Sequence, residues 1–127
     1  RDTEPKEIVR AIIESTAYQS YDLFAAMKKD GLRPKIIRID GGMVKNNWFS
    51  QFLSDVLNIK VYRSQIDETT ALGAAFMAGL QIGVFKSLSD ITKLWKLNRK
   101  FIPKIKNSER LNLLKGWSQA MRRTLVQ

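Results

Sequence analysis

The chain contains neither cysteine nor histidine among its 127 residues. Without cysteine it can form no disulfide and offers no thiolate for catalysis or metal binding. Without histidine it lacks the commonest general base and the commonest metal ligand in proteins. Catalysis that depends on histidine is therefore excluded, and the lack of cysteine is compatible with the cytoplasm, the compartment that we expect.

Long apolar runs are also missing, since no stretch approaches the roughly 20 residues that a membrane-spanning helix needs. The first residues, Arg1-Asp2-Thr3-Glu4-Pro5, do not resemble a signal peptide. The apolar content of 44% is ordinary for a globular protein, and the length suits one domain with a modest core. We therefore expect a globular chain that makes no membrane contact.

Acidic residues are scarce in the last third of the chain. Residues 86–127 carry 11 lysines and arginines against 2 acidic residues, whereas residues 1–85 carry 11 against 10. A basic tail of this kind is compatible with a nucleic-acid surface, but no motif of a nucleic-acid-binding module accompanies it. We favour solvated side chains, and nucleic-acid binding through residues 86–127 stays the alternative.

Apolar spacing predicts three helices in the first two thirds of the chain. The first begins at Pro5 and ends before Gly31, and its predicted buried face is Val9, Ile12, Ile13, Thr16, Leu23 and Met27. The second follows a cap at Asn46 or Asn47 and has the face Phe49, Phe52, Leu53, Val56 and Leu57. The third opens at Asp67 or Glu68 and ends at Gly83, and its small residues predict close packing against a sheet.

Two short runs between these helices predict strands at 35–39 and 59–63. Because the first run has isoleucine at 36, 37 and 39, we expect it to be a fully buried parallel strand. The order of elements then implies a βαβ unit with covering helices. A short helix at 88–95 and an extended stretch at 97–102 follow. The last helix is predicted to be capped by Ser108, with the face Leu111, Leu114, Ser118, Met121 and Leu125.

The segment Asp40-Gly41-Gly42 joins the first strand to the second helix. Glycine allows positive φ and lets a ligand approach the backbone, and free N–H groups at a helix start suit a phosphorylated ligand. We expect Asn46 to cap the helix and Asp40 to accept hydrogen bonds from its own turn. The remaining carboxylates, Asp55, Asp67 and Glu68, are interpreted as caps or surface charges. No catalytic residue and no metal-ligand set is predicted.

Motifs on both sides of this turn resemble those of glycerol kinases in the FGGY carbohydrate kinase family. Residues Glu7–Glu14 are similar to part of a family signature, and Asp40-Gly41-Gly42-x-x-x-Asn46-Asn47 is similar to the adenosine-binding turn. The segment Glu68–Ala75 and the C-terminal Gly116-Trp117-x-x-Ala120-Met121-Arg122-Arg123 follow in family order. Residues 1–127 thus resemble an incomplete C-terminal domain of such a kinase, on its nucleotide side.

The resemblance implies an α/β fold, a partial actin-like (ribonuclease H-like) ATPase domain that contains the βαβ unit and a C-terminal helix. It implies ATP as the cofactor, with Mg²⁺ in the parent family, and transfer of phosphate from ATP to glycerol. By resemblance, Gly42 and Asn46 would contact the adenosine portion, and Gly41 would shape the turn. Lys45 stands where the family usually has a small residue.

The same resemblance implies that the N-terminal domain, the catalytic aspartate, the polyol-binding residues and the phosphate-binding loops lie upstream. We therefore expect this chain alone to be inactive, with at most weak adenine-nucleotide binding. The strand at 35–39 would also lack a neighbour on one edge. This favours self-association, or completion by a separate kinase-like chain that supplies the missing half.

Overall fold

The computed structural model describes residues 3–66 and 68–125. The helices in these two ranges are α1 (Pro5–Lys29), a 3-10 helix (Met43–Lys45), α2 (Asn47–Leu57), α3 (Thr69–Gln81), α4 (Leu88–Lys93) and α5 (Asn107–Leu125). The strands are β1 (Ile36–Ile39), β2 (Lys60–Ser64) and β3 (Leu97–Phe101). Apart from the 3-10 helix, the predicted order of helices and strands is confirmed up to α4. Asp67, one of the two predicted starts of α3, lies outside the described residues.

The three strands form one sheet in the order β1-β2-β3. β1 and β2 are parallel, with Ile37 opposite Val61, and β3 runs antiparallel with Phe101 opposite Val61. The prediction of two parallel strands therefore missed β3, which was expected only as an extended stretch. Its sequence, Leu97-Asn98-Arg99-Lys100-Phe101, does not alternate apolar and polar residues as a half-buried strand does. Only Phe101 of this strand is buried.

The core lies around α2, which packs on α1 on one side and on the sheet on the other. The predicted face of this helix is confirmed, with Phe49, Phe52, Leu53 and Val56 buried and Leu57 partly buried. Val61 of β2 and Phe101 of β3 meet this face from the sheet. The first βαβ unit is thus built around one strongly apolar helix.

Half of the predicted buried face of α1 is wrong, since Ile13, Thr16 and Met27 are partly buried but the other three residues are exposed. Val9, Ile12 and Leu23 are each more than half exposed, whereas the buried residues of this helix are Ala17 and Tyr18. The reason is that only the middle of the long helix meets α2 and α5. Tyr18 lies edge-on to Phe52 at 5.6 Å between ring centroids and stacks on Trp117 of α5 at 5.4 Å.

Burial changes the titration of Tyr18. Loss of hydration, reinforced by the neighbouring Glu14 carboxylate, raises the pKa of this phenol to about 12. The unfolded chain would release the proton near the ordinary tyrosine value, so the folded state is favoured by this group below that value. This stabilisation is lost as the pH rises through the folded-state pKa of about 12. The resulting pH dependence of stability therefore lies above the neutral range.

β1 is not the fully buried strand that its isoleucines predict. Ile36 is 44% exposed and Ile37 and Ile39 are only partly buried, because β1 is an edge strand that pairs with β2 alone. The prediction of an open edge is confirmed by the same strand order. β1 thus presents unpaired backbone groups beside apolar side chains, which is an association hazard.

The close packing predicted for α3 against a sheet is also wrong within the described residues. Gly79 is the buried residue of this helix, and its neighbour is the Phe85 ring, which a Cβ at position 79 would approach to 2.7 Å. A Cβ added at Gly73 would meet no atom within 4 Å. The small residues of α3 therefore mostly face open space.

Two predictions about polar residues near the C-terminal helix are corrected. Asp55 is not a surface charge but is 5% exposed, and it accepts hydrogen bonds from the Lys104 backbone N–H at 2.6 Å and Gln51 Nε2 at 3.1 Å. Helix α5 begins at Asn107 and therefore includes Ser108, its predicted cap. Of its predicted face Leu114 is buried, whereas Leu111 and Leu125 are exposed.

The open edge of β1 predicts that the chain self-associates. We expect light scattering over a concentration series to show a mass above that of the monomer. Ile36→Lys should shift the mass toward the monomer, because a lysine on an edge strand opposes pairing. Leu125→Lys, which places the same charge on an exposed residue at the end of α5, should have no effect. A monomer mass for the wild type at the highest concentration would refute the prediction.

Candidate functional site

The turn after β1 has the geometry that its glycines predict. Gly41 has φ +92°, in the left-handed region where a side chain would be strained. Gly42 has the ordinary helical φ of −62° and precedes the 3-10 helix, a short element that the sequence did not predict. The backbone therefore requires glycine at position 41 but not at position 42.

Asn46 caps α2, as predicted. Its Oδ1 accepts hydrogen bonds from the backbone N–H groups of Trp48 at 2.9 Å and Phe49 at 3.3 Å. These bonds satisfy two of the donors that a helix start leaves free. Asn46 is exposed, and its amide NH₂ carries two donors that the cap does not use.

The 3-10 helix is fixed to both β2 and α2 through the carbonyl oxygen of Val44. Arg63 Nη1 donates to this oxygen at 2.7 Å and to the Lys45 carbonyl at 3.2 Å, and Ser50 Oγ donates to the Val44 carbonyl at 2.9 Å. The Val44 side chain is buried. The sequence motif contained Arg63 without indicating this role, which is to hold the turn rigid.

Asp40 has a partner outside its own turn, which corrects the prediction. Thr69 Oγ1, at the first residue of α3, donates a hydrogen bond to Asp40 Oδ2. The start of α3 is thereby brought to the end of β1, beside the glycines. Thr69 is a residue of the site that sequence reasoning missed, and its position in the Glu68–Ala75 motif was the available signal.

The structure brings Gly41, Gly42 and Asn46 together on one exposed turn at the carboxyl end of β1. Carboxyl ends of parallel strands are where ligands bind in open α/β sheets. A Cβ added at Gly42 would meet nothing within 4 Å, so the surface above it is open. Two grooves on the described part of the chain lie elsewhere, and no cluster of three or more acidic residues there could hold a metal ion.

Comparison with known proteins identifies the family of the chain that contains this turn. The model of the C-terminal domain of the FGGY family of carbohydrate kinases matches residues 1–82, which include β1, the glycine turn and α3. The chain belongs to the FGGY family of carbohydrate kinases. The resemblance seen in the sequence motifs is thereby confirmed.

Curated relatives of this FGGY chain include glycerol kinases. It is 55% identical over 120 residues to glycerol kinase of Gluconobacter oxydans and 51% identical over 123 residues to that of Alteromonas mediterranea. The matches cover 94% and 97% of this chain but only 23% and 25% of the two relatives. The chain thus spans about a quarter of the length of the curated relatives that it matches.

Solved structures of sugar kinases share the fold. Plasmodium falciparum glycerol kinase with ADP superposes with a TM-score of 0.84 at 36% identity, covering 99% of this chain and 26% of that one. Xylulose kinase from Lactobacillus acidophilus gives 0.75 at 22% identity, covering 94% and 24%. These kinases have the actin-like (ribonuclease H-like) fold, so the predicted fold class is confirmed. No helix in the described residues is long and apolar enough to cross a membrane.

The capping role of Asn46 predicts that two substitutions will differ in stability. Asn46→Ala removes the cap and should lower the free energy of unfolding by about 1 kcal/mol, whereas Asn46→Ser keeps a capping oxygen and should stay close to wild type. Urea unfolding followed by circular dichroism measures both. If Asn46→Ala and Asn46→Ser lost the same free energy of unfolding, the capping bonds would not contribute to stability.

Proposed function

We propose that this chain forms the adenosine-binding wall of an ATP-dependent glycerol kinase. The observation that carries the proposal is the turn Asp40–Asn47, which combines a left-handed Gly41, an open Gly42 and an exposed Asn46 amide. Support comes from the glycerol kinase relatives and from the solved glycerol kinase with ADP. The whole protein would transfer the terminal phosphate of ATP to glycerol, giving ADP and glycerol 3-phosphate.

In this proposal each residue of the turn has a separate task. Gly41 reverses the chain, which lets the following backbone pass under the adenosine portion without a side chain in the way. Gly42 would lie against the nucleotide, and Asn46 would donate from its amide nitrogen while its oxygen keeps the cap. Arg63 and Ser50 would hold these groups in place through the Val44 carbonyl. Mg²⁺ would be bound with the phosphates by other parts of the whole kinase.

The rest of the catalytic machinery is proposed to lie in the other three quarters of the kinase. Phosphoryl transfer needs a base near the acceptor hydroxyl, metal ions on the phosphates and donors around the transferred group. The described turn provides none of these, and its residues line neither of the two grooves reported above. Alone, the chain would bury little of a nucleotide and so would bind it weakly. A separate kinase-like chain could supply the other wall.

Nucleic-acid binding by residues 86–127 is the weaker alternative. Several cations of this segment are engaged within the chain, since Lys93 pairs with Asp90 at 3.1 Å, and Arg99 and Lys100 lie over the rings of Phe101 and Tyr62. These contacts favour the interpretation that the basic tail belongs to the fold and its surface.

Substitution of Gly42 separates ligand binding from folding. Gly42→Ala should leave stability unchanged, because the backbone is helical there and the added methyl meets no atom within 4 Å. It should weaken ADP binding several-fold, because the methyl would occupy the place of the nucleotide. Fluorescence of Trp48, which is 43% exposed and close to the turn, reports the titration.

Gly116→Ala in α5 is the matched control for this titration, since it adds the same methyl into open space away from the turn. It should leave ADP affinity unchanged. Equal ADP affinity in wild type and Gly42→Ala would remove Gly42 from the proposed site.

The purified chain should show no glycerol-dependent consumption of ATP in a coupled assay. The physical reason is that one wall of a cleft cannot supply the base, the metal ions and the phosphate donors together. Full-length glycerol kinase in the same assay is the positive control. Turnover by the chain that is abolished by a substitution within residues 1–127 would overturn the proposal that the catalytic machinery lies in the rest of the kinase.

A further inference from the structure

A concave surface lies at the opposite end of the strands from the glycine turn. It is a groove of about 630 Å³, and its walls come from the end of α1, the segment 32–35, the junction of α2 with β2, and the region after β3. This volume is within the range of small-molecule sites. Apolar side chains form much of the lining: Tyr21, Phe24, Leu32, Pro34, Leu57, Ile59, Ile102 and Pro103.

All the charged residues that line this groove are basic: Lys28, Arg33, Lys35, Lys60 and Arg110. Within the described part of the chain, the side chains of the first four make no ion pair. Arg110 is oriented by the Asn107 side chain, to which its Nη2 donates at 3.1 Å. Five positive charges therefore share one concavity that contains no carboxylate of its own.

Favourable interaction with the end of a helix explains the position of only some of these cations. Lys28 lies in the last turn of α1, where a cation interacts favourably with the free carbonyl groups. Arg33 and Lys35 follow that helix and precede β1, and Lys60 is the first residue of β2. None of these three lies within a helix, although Lys60 comes three residues after the end of α2. An anionic ligand in the groove would neutralise part of this positive charge.

We propose that this groove binds a small anion that carries two or more phosphate groups. The convergence of five cations from separate elements matches several negative charges better than one. The apolar walls leave room for an organic body attached to the phosphates. The groove adjoins Lys35, before β1, whereas the glycine turn follows Ile39 at the other end of that strand, so the two sites are separate.

Inorganic pyrophosphate is the probe, because it has two phosphate groups and no nucleoside that could bind at the glycine turn. Isothermal titration calorimetry in low-salt buffer should show saturable binding to the wild-type chain. The double variant Lys35→Gln, Lys60→Gln should weaken this binding about tenfold, since it removes two of the five charges. Thermal unfolding of the variant checks that it stays folded.

The matched control is Lys86→Gln, Lys115→Gln, which changes the net charge equally at two exposed lysines that do not line the groove. It should keep pyrophosphate affinity within about twofold of wild type. An equal loss in both double variants would show diffuse attraction by a basic surface and overturn the proposal. The proposal would also be overturned if pyrophosphate showed no saturable binding, or if single-stranded DNA bound saturably and pyrophosphate did not.

Discussion

The burial of α2 is the constraint on which the other elements depend. This helix has an almost continuous apolar face, and α1, β2, β3 and α5 all contact it. Its polar residues add fixed attachments, since Ser50 holds the Val44 carbonyl at its start and Asp55 holds the Lys104 backbone near its end. The glycine turn and the segment before α5 are therefore both positioned by the same helix.

The elements that sequence reasoning predicted well are those whose signals are local. The αL glycine after α1, the Asn46 cap and the apolar face of α2 each follow from the chemistry of neighbouring residues. The family motif around Asp40–Asn47 added the residues that are proposed to face a ligand.

The errors concern features that depend on distant partners. Burial of Ile36 and packing of α3 require neighbours that the described chain does not contain, and β3 is a strand only because β2 pairs with it. Likewise, Thr69, which bonds to Asp40, and Lys104, which bonds to Asp55, lie 29 and 49 residues away in the sequence. No periodicity or local composition encodes such pairings, so a single sequence could not reveal them.

The two glycines of the turn have different physical requirements, and this has an evolutionary consequence. Gly41 is needed for its φ of +92°, so any descendant that keeps this fold must retain it or rebuild the turn. Gly42 has a φ that any residue can adopt and open space around its Cα. In a lineage released from selection for the ligand, mutations at position 42 would therefore accumulate at the neutral rate, while position 41 would stay glycine.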